Sequence, residues 1–175
     1  MKIITISRQY GAGGREIGLA VGKELGVTLY DRDIIAATAK ASSIDASQIE
    51  REGEEISATE SILRNITPIS YDQKDYIYET QRSVILDLAK QGPCVILGRC
   101  ADVVLHDAGI ETLNVYIYSA EAHRAERISG YLNTTDTAEI VRAMKKRDRA
   151  RRSYCKQHTG QIYGDSRNYD LTLCT

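Results

Sequence analysis

The sequence predicts an α/β fold, a mostly parallel sheet covered by helices on both faces. Three observations carry this reading. Short β-branched runs alternate with segments whose apolar residues recur at helical spacing. A glycine cluster, Gly11-Ala12-Gly13-Gly14, lies between the first such run and the first helical segment. The run CVIL at 94–97 is apolar throughout, as strands buried on both faces are.

Each element follows in turn. Residues 2–6 form a β-branched strand, broken by the glycines at 11–14. Residues 15–25 carry Ile17, Leu19, Ala20, Val21 and Leu25 at spacings that suit a helix packed on a sheet, and Gly26 stops it. Residues 27–30 are a second strand, after which Asp31 is placed to cap a helix running through 34–41. The stretch 42–70 is polar and rich in Ser and Glu; it predicts short helices in an inserted lobe, with a break at Pro68. An amphipathic helix is expected over 72–90, with Ile77, Val84, Ile85, Leu88 and Ala89 facing inward and Gly92-Pro93 ending it. After the strand 94–97 come a strand at 113–118, a helix over 120–131, a strongly charged helix from 135–137 to about Lys156, and a last strand at 169–173. Right-handed crossovers join the parallel strands. The chain stops directly after that strand, and a further C-terminal segment covering it is expected.

At 175 residues the chain is the size of one compact domain. Its formal charge of −1 gives no global attraction to nucleic acid or membrane, so any electrostatic function must come from local clusters. With eleven Tyr and neither Phe nor Trp, the core must be built from Ile, Leu, Val and Ala. The opening MKIITIS turns polar too soon for a signal peptide, and no run approaches the roughly 18 apolar residues of a membrane helix. Cys94, Cys100, Cys155 and Cys174 include no CxxC pair, which favours reduced thiols and a cytoplasmic protein.

The glycine turn is the first chemical signal. Glycines let backbone N–H groups turn towards an anion, and the following helix adds its positive end. The loop is not a standard GxxxxGK[ST] motif. Aligning Gly11-Ala12-Gly13 with the usual G-x-G puts Gly14 where the lysine belongs. Shifting by one residue puts Arg15 in the lysine position and Glu16 in the Ser/Thr position, where a carboxylate can hold magnesium directly or through water. Arg8, just before the loop, is a second candidate cation. A dinucleotide-binding turn is the rival, with Asp31 as its ribose-binding acid, but GxGxxG is not cleanly reproduced.

The turn SRQYGAGGREIG, the strand end YDRDII, the segment VILGRCADVVLHDAG, the helix SAEAHRAERI and the late stretches RDRARRSY and NYDLTLCT resemble the cytidylate kinase-like branch of the nucleoside monophosphate kinases. The resemblance covers nearly the whole chain. It implies a P-loop NTPase-type three-layer sandwich with a parallel five-stranded sheet, a helical lid at about 132–165 and a small inserted acceptor lobe at about 42–70. It also implies ATP and Mg2+, with a nucleoside monophosphate, CMP or dCMP first, as acceptor. Carried over residue by residue, Gly98-Arg99 would contact the acceptor, and Arg124 and Arg127 would approach ATP. Asp148, Arg151 and Arg152 would turn towards the phosphates. Where the family often has an acid directly after the Gly-Arg, this chain has Cys100, with Asp102 two residues later.

The candidate catalytic residues are thus Arg15, Arg127 and Arg151. Arg8, Gly11, Ala12, Gly13, Gly14, Arg15, Glu16 and Arg124 are nominated for ATP, with Glu16 for magnesium. Asp31, Arg99, Asp102 and Asp148 are nominated for the acceptor. Seven basic residues between Arg142 and Arg152 face one acid, Asp148, and about half of them are expected on a solvated helix face. Such a stretch suits a lid that neutralises developing charge and excludes water. A nucleic-acid surface is disfavoured by the net charge. His106 is expected to be structural, and the tyrosines of 71–78 to serve packing and helix surface. Two alternatives stand beside the kinase: a nucleotide-binding regulatory protein without transfer, and a kinase of a non-nucleotide small molecule. The lid arginines favour transfer, because a sensor needs no charge converging on a moving phosphoryl.

Overall fold

The computed structural model describes residues 3–54 and 69–175. Five strands, β1 (Ile3–Arg8), β2 (Thr28–Tyr30), β3 (Cys94–Leu97), β4 (Thr112–Tyr118) and β5 (Leu171–Cys174), form one parallel sheet in the order β2-β3-β1-β4-β5. Seven α-helices lie among the described residues: α1 (Gly14–Leu25), α2 (Arg32–Ser42), α3 (Ala46–Glu54), α4 (Ile69–Lys90), α5 (Ala101–Asp107), α6 (Glu121–Leu132) and α7 (Thr137–Thr159). The stretch 55–68 of the expected acceptor lobe, Pro68 included, lies outside the described residues.

Strand alternation divides the core between the two faces. Ile6, Val95, Leu97, Val115 and Ile117 pack with Ile17 and Val21 of α1 on one face. On the other, Ile3, Cys94 and Ile96 pack with Ile34 of α2, Ile85 and Ala89 of α4, and Ala101, Val104 and Leu105 of α5. Fully burying an Ile or Leu stabilises by about 1.5–3 kcal/mol, and Ile34, Ile85, Ile96, Leu105 and Ile117 are all fully enclosed. The neighbouring strands β1 and β3 therefore send their following helices, α1 and α5, to opposite faces. A crevice must open between their carboxyl ends, where α/β proteins bind ligands.

Several expectations need correction. Leu19 and Leu25 do not pack on the sheet; they are 45% and 42% exposed. The face of α1 that meets the sheet is Gly14, Gly18 and Gly22 beside Ile17 and Val21. A β-carbon on Gly22 would come within 2.9 Å of the Val27 carbonyl, so small residues at i, i+4 spacing set how closely this helix lies. Asp31 occupies the N-cap position of α2 but its side chain makes no capping bond. The helix α5 was not anticipated, and the last strand starts two residues later than expected. The charged helix α7 is capped by Asp136, whose carboxylate accepts from Ala138 N (2.8 Å) and Glu139 N (3.3 Å).

Candidate active site

A cleft of ≈ 560 Å³ occupies that crevice. The turn after β1 forms one wall, Gly98, Arg99 and Cys100 after β3 form another, and Arg147, Arg151 and Tyr154 of α7 close it above. Asp31, Arg32 and Ile35 at the start of α2 and Glu50 of α3 complete the lining.

The glycine turn is shaped from behind. Arg124 Nε donates to the Tyr10 carbonyl (2.7 Å), Arg127 Nη1 to the Gly11 carbonyl (3.3 Å), and Thr175 Oγ1 to the Ala12 carbonyl (3.0 Å). None of these three residues lines the cleft. In a trans peptide the N–H points opposite to its carbonyl. Tethering the carbonyls of Tyr10 and Ala12 outward therefore turns the N–H groups of Gly11 and Gly13 inward, towards the start of α1. Gly11 cannot be replaced without cost: its φ is +78°, and a β-carbon would lie 2.8 Å from the Arg124 carbonyl oxygen.

The predicted site residues fall into two sets. Arg8, Gly11, Gly13, Gly14, Arg15, Glu16, Asp31, Arg99 and Arg151 line the cleft together. Arg15 Nε pairs with Asp31 Oδ2 at 3.1 Å, with the arginine more than half exposed. Such an exposed pair contributes under about 1 kcal/mol. Glu16 accepts a hydrogen bond from Tyr131 Oη (3.0 Å). Arg147 and Arg151 stand 5.1 and 5.8 Å from the Tyr10 ring centroid, close enough for cation–π attraction. The remaining basic residues of the stretch, Arg142, Lys145, Lys146, Arg149 and Arg152, are exposed.

Arg99 stands in an unusual backbone. Gly98, Arg99 and Cys100 have φ values of 74°, 60° and 53°, three consecutive left-handed residues. A non-glycine residue held there costs on the order of 1 kcal/mol and is kept only by its surroundings. Gly98 N donates to Ile6 O (2.9 Å) and Ala101 N to Gly98 O (3.2 Å), which fix the turn. Burial pulls the Arg99 pKa down, and its Nη1 reaches the Ile49 carbonyl on α3 at 3.4 Å.

Ala12, Arg124, Arg127, Asp102 and Asp148 do not line the cleft, Ala12 being fully buried in the core beside α1. Arg124 and Asp148 are buried together as an ion pair that joins α6 to α7, and Asp148 Oδ1 accepts from Tyr10 N at 2.8 Å. Asp102 is buried in the first turn of α5; burial raises its pKa, against backbone N–H groups that lower it. Its raised folded-state pKa means that native structure is penalised once pH exceeds that value, and not below the unfolded carboxylate pKa. Asp102→Asn is accordingly expected to raise the thermal midpoint at neutral pH. The gain should vanish near pH 3, where both states carry a neutral acid; equal midpoints at pH 7 would contradict it.

Sequence reasoning missed the aromatic lining: Tyr10, Tyr131, Tyr154 and Tyr163 all face the cleft, with Glu50, Ile35 and Arg147. Tyr163 holds the end of β1, accepting from Arg8 N (3.0 Å) and donating to Arg8 O (2.9 Å), and burial keeps its proton on by raising its pKa. The i, i+4 spacing of Arg147 and Arg151 was a readable signal for the former. Nothing in the sequence marks Tyr163. His106 lies on the surface beside Asp107 (3.4 Å), away from the cleft. Tyr78 stacks on His158 at 4.3 Å, a packing role.

A parallel sheet with a cation-lined crevice at its carboxyl edge is the arrangement in which open α/β proteins bind ligands. The chain belongs to the cytidylate kinase-like family, whose model matches residues 3–175, and the family supports a kinase-type enzyme. An uncharacterized protein from Eubacterium ventriosum has a similar crystal structure, with a TM-score of 0.72 and 21% identity over 99% of this chain and 88% of its own. TT1252 from Thermus thermophilus is similar with a TM-score of 0.53 and 13% identity, again over 99% and 88%. At these identities both show the fold alone. No curated protein matches the chain. Among the described residues, no helix is long and apolar enough to cross a membrane.

Proposed function

We propose that this chain is a cytoplasmic, ATP-dependent phosphotransferase that converts a nucleoside monophosphate, CMP or dCMP first, to the diphosphate. The observation that carries this reading is one cleft lined by the glycine turn and α1 at one end and by Arg99, held in strained backbone, at the other, which this reading takes as two anion sites. A sensor of one nucleotide needs only the first.

In-line transfer requires aligned anions, neutralised charge and exclusion of water. The cradle N–H groups hold the donor phosphates, Arg99 holds the acceptor phosphate, and Arg147 and Arg151 approach from α7 as the lid. The acceptor is already an anion, so no general base is needed. Glu16 and Asp31 put carboxylate oxygens beside the cradle, a donor set that suits a hard cation. Mg2+ held there would offset charge on the transferred phosphoryl.

Arg15→Ala is expected to weaken ATP binding by about 1.5 kcal/mol, the lower end for a hydrogen bond to a charged group; calorimetry giving unchanged affinity would remove Arg15 from the site. The function itself is tested by hydrogen exchange with a bisubstrate analogue joining ATP to CMP. Protection is expected at 11–16, 98–100 and 142–152 together, and protection at 11–16 alone would favour a one-nucleotide regulatory protein.

A further inference from the structure

We propose that Arg8 is the cation of the donor-phosphate site, its side chain filling the space that a lysine at position 14 would take. The inference rests on the phosphotransferase reading and assigns a residue within that site. In the register that aligns Gly11-Ala12-Gly13 with G-x-G, position 14 is the lysine position, and here it is glycine. A β-carbon on Gly14 would lie 2.8 Å from Arg8 Cγ and 2.9 Å from Arg8 Cβ. Real β-carbons do not approach so closely, so a side chain at position 14 would require Arg8 or the turn to shift. The missing lysine and the extra arginine are two halves of one exchange.

The direction of Arg8 follows from the strand. It ends β1 on the same face as Ile6, the face that α1 covers, so its side chain leaves beneath the first turn of that helix. The guanidinium then reaches Gly98, where a β-carbon would overlap Nη1. Arg8 thus runs from the donor cradle to the foot of the acceptor-side turn, across the path that a transferred phosphoryl must take. Its backbone is pinned by Tyr163 and by Arg151 Nη1, which donates to the Arg8 carbonyl at 3.1 Å.

Asp31 favours its charge from nearby, but no ion pair closes on it among the described residues. Burial, then the nearby charge of Arg151, pulls its pKa down to about 9, so it remains cationic at neutral pH in a site that disfavours the charge. A phosphate between Arg8 and Arg151 would supply what is missing.

The test compares four forms of the full chain, wild type, R8M, R8G and R8G/G14K, by calorimetric ATP binding, ADP release and thermal midpoint. R8M keeps the volume without the charge. It is expected to lose roughly 100-fold in turnover, the scale of removing one charge-stabilising donor, and to bind ATP more weakly. R8G/G14K should regain at least 10-fold over R8G, since a lysine at 14 then has room. R8M with wild-type turnover and ATP affinity, or a folded double variant no better than R8G, would overturn the assignment. If the wild type releases no ADP with any acceptor, the phosphotransferase reading fails instead. ATP affinity still decides Arg8, for or against, in that case.

Discussion

Asp148→Ala is expected to lower the free energy of unfolding by about 3–5 kcal/mol, the cost of leaving a buried charge unpaired. Asp148 and Arg124 are 8% and 7% exposed. The carboxylate receives both the Arg124 guanidinium and the Tyr10 N–H, while Arg124 also holds the Tyr10 carbonyl. Removing it strands a buried guanidinium and a backbone N–H at the glycine turn itself. Urea denaturation should show the loss. The double variant Arg124→Met, Asp148→Leu should recover part of it, because no buried charge is then unpaired, although the Tyr10 N–H and carbonyl still lose their partners. A loss below 1 kcal/mol for Asp148→Ala would mean that the pair is solvated. Because the same groups set the loop, the single variant should also bind ATP poorly even where it remains folded.

Arg99→Ala is expected to raise the acceptor's KM roughly 30-fold, about 2 kcal/mol for a lost charge-assisted contact, with the KM for ATP little changed. The asymmetry follows from position: Arg99 is at the end of β3, bonded to α3 of the acceptor side, and the cradle is at the end of β1. Steady-state kinetics with each substrate varied in turn separates the two. A larger effect on ATP would show that the two ends of the cleft have been assigned the wrong way round.

How far this was legible in the chain depends on which kind of signal each feature leaves. The sheet and the glycine turn between its first strand and helix were legible because β-branched runs, glycines and an all-apolar central strand act locally. Leu19 misled, because apolar character alone does not show which face of α1 touches the sheet; the glycines at 14, 18 and 22 do, through close approach. Asp148 and Arg124 read as charges available to substrate. Their burial is a tertiary fact, set by α6 and α7 meeting behind the loop. The left-handed run at Gly98, Arg99 and Cys100 was invisible beyond its glycine, since its strain is held by bonds to Ile6 and within the turn. The exchange of Arg8 and Gly14 was present in the sequence as two oddities, an absent lysine and a surplus arginine. Only coordinates put them in contact.

The central claim is that one cleft aligns two phosphates for transfer. Its most direct test is ADP release measured with ATP and Mg2+ across the nucleoside monophosphates. The account predicts acceptor-dependent ADP formation, fastest with CMP or dCMP, and stoichiometric nucleoside diphosphate product. ATP binding without acceptor-dependent ADP from any nucleoside monophosphate would contradict it.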